Sequence, residues 1–365
     1  MNIYLEYPHK KSLEVIAQKV QQIQGPLEYV CYFERAKLIM GDNFEIMAKL
    51  LKEYQNRIDL VYIDPPYNTC QNFTSSKNRT ATISKSSNDN LAYCDNLPLQ
   101  DYLEFMRERF FLIWQLMSPQ GSLYVHTDIK NGPYLRMLLD EIFGKDNFLN
   151  EVSRVKSNPK NFKRKAYGNV KDIIYFYAKK RGQNIFNHVK EQSTEELPPR
   201  FKKIDKEGRY YTTIPCHAPG ETKNGATGGL WKGRLPPKGR HWRVSPDVLE
   251  ELDRQGHIEW SKNANPRIKK YAQNYQGNKI QDIWSHFKDP QYPLYPTQKN
   301  KRMLDLIVCQ SSREDSIIMD CFCGSGSFLQ AGLAHMRQVI GIDASEIAIE
   351  LSKVAIKSLQ SHLVR

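Results

Sequence analysis

The chain has 365 residues, 40% of them hydrophobic, and its 53 Lys and Arg outnumber its 40 Asp and Glu to give a net charge of +13. This composition is ordinary for a folded protein of two or three domains, and without a bilayer-length apolar run or a secretory signal pattern we expect neither a membrane nor a secreted protein. The seven scattered cysteines are typical of a reducing compartment and lack zinc-ligand spacing, which predicts a cytoplasmic protein without a metal site.

Helical and strand patterns alternate from the start of the chain. Apolar residues at helical spacing predict a helix over 11–24, and a buried strand is expected at 36–40. A second helix at 44–54 leads into an apolar strand at 58–63. That strand stops at two prolines, which cannot continue a hydrogen-bonded ladder.

A polar stretch rich in Ser, Asn and Thr follows at 68–96, and we expect it to be a long functional loop. The pattern then predicts helices at 98–117 and 133–143 and strands at 121–126 and 170–178.

The excess positive charge is confined to one segment. Residues 151–290 contain 29 Lys and Arg against 15 Asp and Glu, a net +14, whereas the rest of the chain is nearly neutral. The same segment holds four of the five tryptophans, which are Trp231, Trp242, Trp260 and Trp284. A basic surface interleaved with aromatic rings suits a polyanion such as nucleic acid. The alternative is a solvated basic face around a small tryptophan core.

The α/β pattern resumes after the basic segment. We expect a helix at 297–311, a strand at 316–319, a glycine loop at 320–326, a helix to 336, a strand at 338–342 and a closing helix. Such alternation predicts a doubly wound, mostly parallel α/β sheet whose two halves are separated by the basic insert. Ligands bind at the carboxyl ends of strands in these sheets. The residues at such ends are Asp42, Asp64, His126, Asp320 and Asp343.

The loop from Asp320 to Gly326 reads D-C-F-C-G-S-G and leads from a strand into a helix. Glycines let the backbone pass close to a ligand, and Asp343, at the end of the next strand, can accept hydrogen bonds from ribose hydroxyls. Leu329 stands where the dinucleotide fingerprint has its third glycine, so a nucleoside pocket is favoured over a pyrophosphate site. The alternative is a tight turn that binds nothing.

The tetrapeptide Asp64-Pro65-Pro66-Tyr67 ends the strand at 58–63. The prolines hold the backbone rigid and have no N–H, so the Pro65 carbonyl can face outward as an acceptor. With the Asp64 carboxylate, it could accept both hydrogens of an exocyclic amino group while Tyr67 stacks on the base. The alternative is a turn that only ends the strand.

Together these motifs resemble the beta-class S-adenosylmethionine-dependent DNA amino methyltransferases of bacterial restriction–modification systems. In that class a D-P-P-Y half precedes the target-recognition region and an F-x-G-x-G half follows it. Three further stretches match: Leu38–Asp42, Tyr295–Lys299 (with Asn300 where the family has proline) and Gly229–Trp242. The resemblance begins near Ala36.

The resemblance implies a circularly permuted, Rossmann-like methyltransferase fold in three parts, which are a catalytic half (36–180), a target-recognition insert (181–290) and a cofactor-binding half (291–365). Residues 1–35 lie outside the resemblance, and we expect them to form an N-terminal helical extension.

The resemblance also assigns the site residues. Asp343 would contact the ribose of S-adenosylmethionine, Thr297 and Lys299 its methionine end, and Asp42 its adenine ring. Asp320 closes the glycine loop, and the remaining cofactor-binding residues are Phe322, Gly324 and Gly326. The catalytic residues would be Asp64, Pro65, Pro66 and Tyr67.

The implied reaction is methylation of adenine N6 in duplex DNA, with the target base flipped out of the helix. Asp at the head of the D-P-P-Y motif favours adenine within the family, and cytosine N4 is the alternative. Further alternatives are an RNA or protein amino methyltransferase and a DNA-binding protein without activity. The sequence leaves open the recognition site, a cognate restriction endonuclease and a homodimer.

Overall fold

The computed structural model describes residues 4–67, 71–75, 90–95, 97–158, 165–191, 198–222, 224–289 and 299–363. It divides the chain into two compact units, of which the first combines residues 1–189 with 281–365 and the second comprises 190–280. The second unit lies inside the basic insert predicted from the sequence.

Eight α-helices lie in the described residues. They are α1 (Leu13–Gln22), α2 (Asn43–Tyr54), α3 (Leu99–Leu116), α4 (Gly132–Leu139), α5 (Pro246–Arg254), α6 (Lys301–Ser311), α7 (Ser327–Ala334) and α8 (Glu346–Leu363). No helix in this part of the chain has the length and apolar character needed to cross a membrane.

The first eight described strands precede the second unit. They are β1 (Cys31–Phe33), β2 (Ala36–Met40), β3 (Ile58–Ile63), β4 (Gln71–Ser75), β5 (Asn90–Asp95), β6 (Met117–Thr127), β7 (Phe148–Val155) and β8 (Lys171–Ala178). The later ones are β9 (Lys190–Glu191), β10 (Lys203–Ile204), β11 (Tyr210–Pro215), β12 (His217–Pro219), β13 (Arg240–Trp242), β14 (Ile258–Trp260), β15 (Pro266–Tyr271), β16 (Asn278–Lys279), β17 (Ile283–Trp284), β18 (Ile317–Asp320) and β19 (Gln338–Asp343).

A nine-stranded sheet organises the first unit, in the order β1-β2-β19-β18-β3-β6-β8-β7-β17. Five of the eight neighbouring pairs are parallel, which confirms the predicted α/β class with a mostly parallel sheet. The last two strands of the chain, β18 and β19, lie between β2 and β3, as a circular permutation requires. This order places the glycine loop beside the Asp64 turn.

The interior of the sheet explains the apolar runs in the sequence. Strand β3 is buried along nearly its whole length because helices cover both faces of a parallel sheet. Helices α1 to α4 contribute to one hydrophobic core with β3 and β6, whereas α6, α7 and α8 pack against one another in succession.

The structure contains strands that the sequence did not predict, among them β1 within the expected helical extension 1–35. Residues 71–75 and 90–95, within the expected irregular loop, pair as an antiparallel hairpin of β4 and β5. Strand β7 was not predicted at all, although it pairs with both β8 and β17. Its sequence hides the strand because Arg154, a fully buried side chain, interrupts the apolar alternation.

The N-terminal segment is integrated into the first unit. The Tyr7 hydroxyl donates to the Glu104 carboxylate at 2.6 Å, and the Lys11 ammonium donates to Glu108 at 2.8 Å. Both acceptors lie on α3. Ile16 of α1 is fully buried in the shared core. Burial and ion pairs therefore hold this segment against α3.

The second unit has a small core of its own beneath a four-stranded antiparallel sheet of order β10-β11-β15-β14. Trp231 and Trp242 are buried in this core, with their rings edge to face at 5.7 Å. Trp260 stacks on Trp231 at 5.4 Å, and Trp284 belongs to the first unit. Of the two hypotheses for the tryptophans, a nucleic-acid surface or a small core, the small core is therefore correct for Trp231 and Trp242.

Candidate active site

Four aspartates converge at one edge of the central sheet. Asp42 and Asp64 follow β2 and β3, and Asp320 and Asp343 end β18 and β19. Because these neighbouring strands are parallel, their carboxyl ends share an edge. The edge opens into a cavity of about 360 Å³. The cavity is lined by Asp42, Asn43, Tyr62, Asp64, Pro66, Phe105, Lys299, Leu304, Asp320–Ser325, Ser327, Phe328 and Asp343–Ser345.

The glycine loop forms one wall of the cavity. The backbone N–H of Gly324 donates to Asp343 Oδ2 at 2.8 Å, and the N–H of Ser345 donates to Asp343 Oδ1 at 2.9 Å. Gly324 and Gly326 both have positive φ, at 51° and 76°, a conformation that other residues rarely adopt. Ser352 of α8 donates to the Gly324 carbonyl at 2.8 Å and secures the turn from behind.

This wall fits a nucleoside. A carboxylate can accept about four hydrogen bonds, so Asp343 keeps capacity for ribose hydroxyls after its two backbone bonds. The Phe322 ring lies 6.2 Å from that of Phe105 on α3, and both rings line the cavity. The donor set and the apolar rings therefore suit a ribose and a flat heterocycle.

Asp42 is held by residues that the sequence motifs did not identify. It caps α2 by accepting from the N–H of Phe44 at 2.9 Å, and Arg109 donates to it at 2.8 Å. Arg109 also donates to Asn43 at 2.7 Å, and Asn43 donates to the Cys321 carbonyl at 2.8 Å. The sequence feature that could have identified Arg109 is the charged pair at 108–109 within an apolar stretch of α3, because buried charges need ion-pair or hydrogen-bond partners.

The electrostatics of the cavity favour a cation. Among its described lining residues there are four carboxylates and one ammonium, that of Lys299. Burial raises the pKa of Asp343, and it raises the pKa of Asp320 well above its usual range, with further contributions from the Asp64 and Asp343 charges. A positively charged ligand would relieve this accumulation of negative charge.

We expect Asp320→Asn to remove a pH dependence of stability. A carboxyl whose folded pKa is raised above its ordinary value of 3.8 stabilises the fold below that value and loses this contribution as pH rises through the folded pKa. The asparagine oxygen can still accept the N–H of Phe322, which donates to Asp320 at 2.9 Å. Urea unfolding from pH 4 to 8 should therefore show the variant gaining stability relative to wild type as pH rises. Parallel curves would contradict this assignment.

The D-P-P-Y turn forms the opposite wall. The Tyr67 hydroxyl donates to Asp64 Oδ1 at 2.6 Å, and Asn131 donates to the Tyr67 carbonyl. Burial and the Asp64 charge raise the pKa of Tyr67 well above its usual range, so its hydroxyl stays protonated and donates. Pro65 is buried and Pro66 lines the cavity. The turn thus presents an oriented carboxylate beside an aromatic ring.

Lys299 reaches this wall rather than pointing only along the cofactor cavity. Its ammonium donates to Asp64 Oδ2 and lies over the Tyr67 ring, 5.6 Å from the ring centroid. Its contact with the methionine end of the cofactor stays a prediction. Thr297 lies outside the described residues.

A buried polar network supports both walls. Burial lowers the pKa of His126, so its imidazole ring is neutral. The Tyr62 hydroxyl donates to Nδ1 of this ring at 2.9 Å, and the Nε2–H of the ring donates to Asp172 at 3.3 Å. The Tyr62 ring stacks on Phe328 at 5.2 Å, and the His126 ring lies 6.5 Å from that of Tyr67. His126 therefore contacts Tyr62, which packs against the cofactor wall through Phe328, and lies beside Tyr67 of the D-P-P-Y turn.

Comparisons with known proteins match most of this chain. The model of the DNA methylase family matches residues 58–354. The chain is 36% identical over 360 residues to type II methyltransferase M.EcaI of Enterobacter cloacae, covering 95% of this chain and 76% of that protein. It is 22% identical over 367 residues to the EcoP15I Mod subunit, a type III restriction-modification protein of Escherichia coli, covering 80% of this chain and 54% of the other. The crystal structure of the M1.HpyAVI–SAM complex aligns with a TM-score of 0.46 at 16% identity, over 88% of this chain and 98% of the other.

Proposed function

The chain belongs to the DNA methylase family of N6 and N4 amino methyltransferases, and from that premise we propose that it methylates adenine N6 in duplex DNA. The observation that carries the proposal is the single cavity that joins the glycine loop and Asp343 to the Asp64 turn. A cofactor and a base bound at its two walls would meet inside it.

S-adenosylmethionine, the cofactor of this family, supplies an electrophilic methyl group on a positively charged sulfur. The residues proposed to hold it are Asp343 at the ribose, Phe322 and Asp42 near the adenine, and the Gly324–Gly326 turn. The excess of carboxylates in the cavity supports binding of its sulfonium charge. Asp320 ties the loop to the end of β18 by accepting a hydrogen bond from the N–H of Phe322.

The proposed role of the D-P-P-Y residues is to prepare the amino nitrogen. Asp64 and the Pro65 carbonyl would accept hydrogen bonds from its two hydrogens, which would draw the nitrogen lone pair out of conjugation with the ring so that it could attack the methyl carbon. The bond between that carbon and the sulfur would break, S-adenosylhomocysteine would leave as a neutral thioether, and the methylated nitrogen would lose one proton to water. Tyr67 stacks on the extruded base, and Pro66 keeps the turn rigid. Positioning and preorganised charge supply most of the rate.

We assign DNA binding to the second unit as part of this proposal. Residues 190–280 contain 18 Lys and Arg against 11 Asp and Glu. Between the buried Trp231 and Trp242, the chain exposes Leu235, Lys238 and Arg240. Cations at an exposed segment anchored in a small core suit the phosphates of a duplex. The likeness to restriction–modification proteins further supports a cognate restriction endonuclease that cleaves the same site when it is unmethylated.

The test is to identify the product. Purified protein is incubated with labelled S-adenosylmethionine and mixed-sequence duplex DNA, and the DNA is then digested to nucleosides. N6-methyladenine is the expected product. N4-methylcytosine would overturn the choice of base while keeping the reaction class, and label found only in added RNA or protein would overturn DNA as the substrate.

A further inference from the structure

Lys299 occupies the place that the proposed mechanism gives to the target amino group. Its ammonium donates to Asp64 Oδ2, while the Tyr67 hydroxyl donates to Oδ1. The same ammonium lies over the Tyr67 ring, which is the proposed stacking surface for the base. Both oxygens of Asp64 therefore already accept hydrogen bonds from the chain's own side chains, and one of these donors is also within cation–π distance of the Tyr67 ring.

This arrangement is incompatible with methyl transfer. The attacking nitrogen gains positive charge as the new N–C bond forms, and a neighbouring ammonium on the same carboxylate would repel that charge. It would also compete for the acceptor that the amino group requires. Lys299 must therefore leave Asp64 before the base can dock productively.

The cavity provides a path for that movement. The Lys299 side chain is nearly buried, 9% exposed, and lines the same cavity as the glycine loop. Its flexible four-carbon stem lets the ammonium move along the cavity without backbone change. A ligand that brings a carboxylate into the cavity would offer the ammonium a new partner.

We propose that Lys299 is an internal mimic of the target amine, which the carboxylate of the cofactor's amino-acid portion draws away from Asp64. Cofactor binding then frees the base site, and the two ligands bind with positive coupling. The proposal rests on the proposed function, because it takes S-adenosylmethionine and an extruded base as the two ligands. It adds that Lys299 enforces the order in which they act.

The test uses a duplex with 2-aminopurine at the target position, whose fluorescence rises when the base leaves the stack. For wild type, S-adenosylhomocysteine should strengthen binding in the extruded state by about 5- to 150-fold, the usual range of coupling between sites. 5′-Methylthioadenosine, which has the nucleoside but no carboxylate, should not. Lys299→Met should extrude the base without cofactor and lose the enhancement.

The matched control is Lys301→Met, which removes the same charge two residues away. Lys301 is exposed and pairs with Asp305 on α6 at 2.8 Å, outside the cavity. It should keep the wild-type dependence on S-adenosylhomocysteine. Thermal melting and circular dichroism establish that each variant is folded, and Lys299→Gln repeats the test if the methionine variant is not.

Two results would overturn the proposal that Lys299 mimics the target amine. If the Lys299→Met variant still needs S-adenosylhomocysteine to extrude the base, Lys299 does not block the base site. Lys299→Met that binds S-adenosylhomocysteine but never extrudes the base would show that the ion pair is a permanent support for Asp64. Either result can occur in an enzyme that methylates DNA, whereas failure of the proposed function appears separately, as wild-type protein that yields no methylated nucleoside.

Discussion

Replacing Asp64 with asparagine lowers kcat for DNA methylation by about 10²- to 10³-fold, the loss typical of removing one preorganised electrostatic group from an active site. The variant keeps the shape of the side chain but offers one acceptor oxygen and one N–H₂ donor in place of two acceptors. A donor facing the target amine cannot hold its hydrogens out of the ring plane. Single-turnover rates with saturating S-adenosylmethionine measure the effect on the chemical step.

Tyr67→Phe should have a smaller effect on kcat than Asp64→Asn. It keeps the ring for stacking but removes the hydroxyl that donates to Asp64 Oδ1. Loss of one charge-assisted hydrogen bond should reduce kcat by about tenfold, much less than Asp64→Asn. Both variants should still bind S-adenosylhomocysteine, since the Asp343 wall is unchanged, and Asp64→Asn should bind it more tightly because Lys299 no longer pairs with a carboxylate. Equal activity of Asp64→Asn and wild type would remove Asp64 from the mechanism.

The sequence predicted the ends of strands better than it predicted the contacts between them. Asp64, Asp320 and Asp343 follow apolar runs, and parallel strands bring such ends to one edge, so periodicity alone placed these side chains near one another. Gly324 and Gly326 were informative for a different reason, because a strand-to-helix turn with positive φ favours glycine.

The missed residues depend on tertiary approach. Arg109 lies on α3 and reaches Asp42 and Asn43 across the packed helices, and no spacing along the chain encodes that contact. Lys299 was predicted as a cofactor-binding residue, but its contact with Asp64, 235 positions away, was not. The burial of Arg154 depends likewise on acceptors from distant segments, such as the Phe287 carbonyl at 2.9 Å. A sequence read one window at a time cannot pair such groups.

The glycine loop provides the second large effect, through Gly326→Ala. Gly326 has φ of +76°, and a Cβ there would lie 2.7 Å from Ser352 Oγ and 3.2 Å from Ser352 Cα. The left-handed conformation alone costs about 1–2 kcal/mol for an L-residue. The clash with α8 must also shift the turn that positions the Gly324 N–H on Asp343. We expect affinity for S-adenosylhomocysteine to fall by about 10- to 100-fold, which corresponds to about 1.4–2.8 kcal/mol.

Gly208→Ala is the control that separates the cost of positive φ from the cost of the steric clash with Ser352. Gly208 in the second unit has φ of +79°, but its added Cβ would meet nothing within 4 Å. This control should lose about 1–2 kcal/mol of stability without losing affinity for S-adenosylhomocysteine. Combining Gly326→Ala with Ser352→Ala removes the nearest clashing atom, so part of the lost affinity should return, whereas the cost of the positive φ remains. Additive effects in this double-mutant cycle, measured by calorimetry, would mean that the cofactor wall does not depend on the fit between the glycine loop and α8.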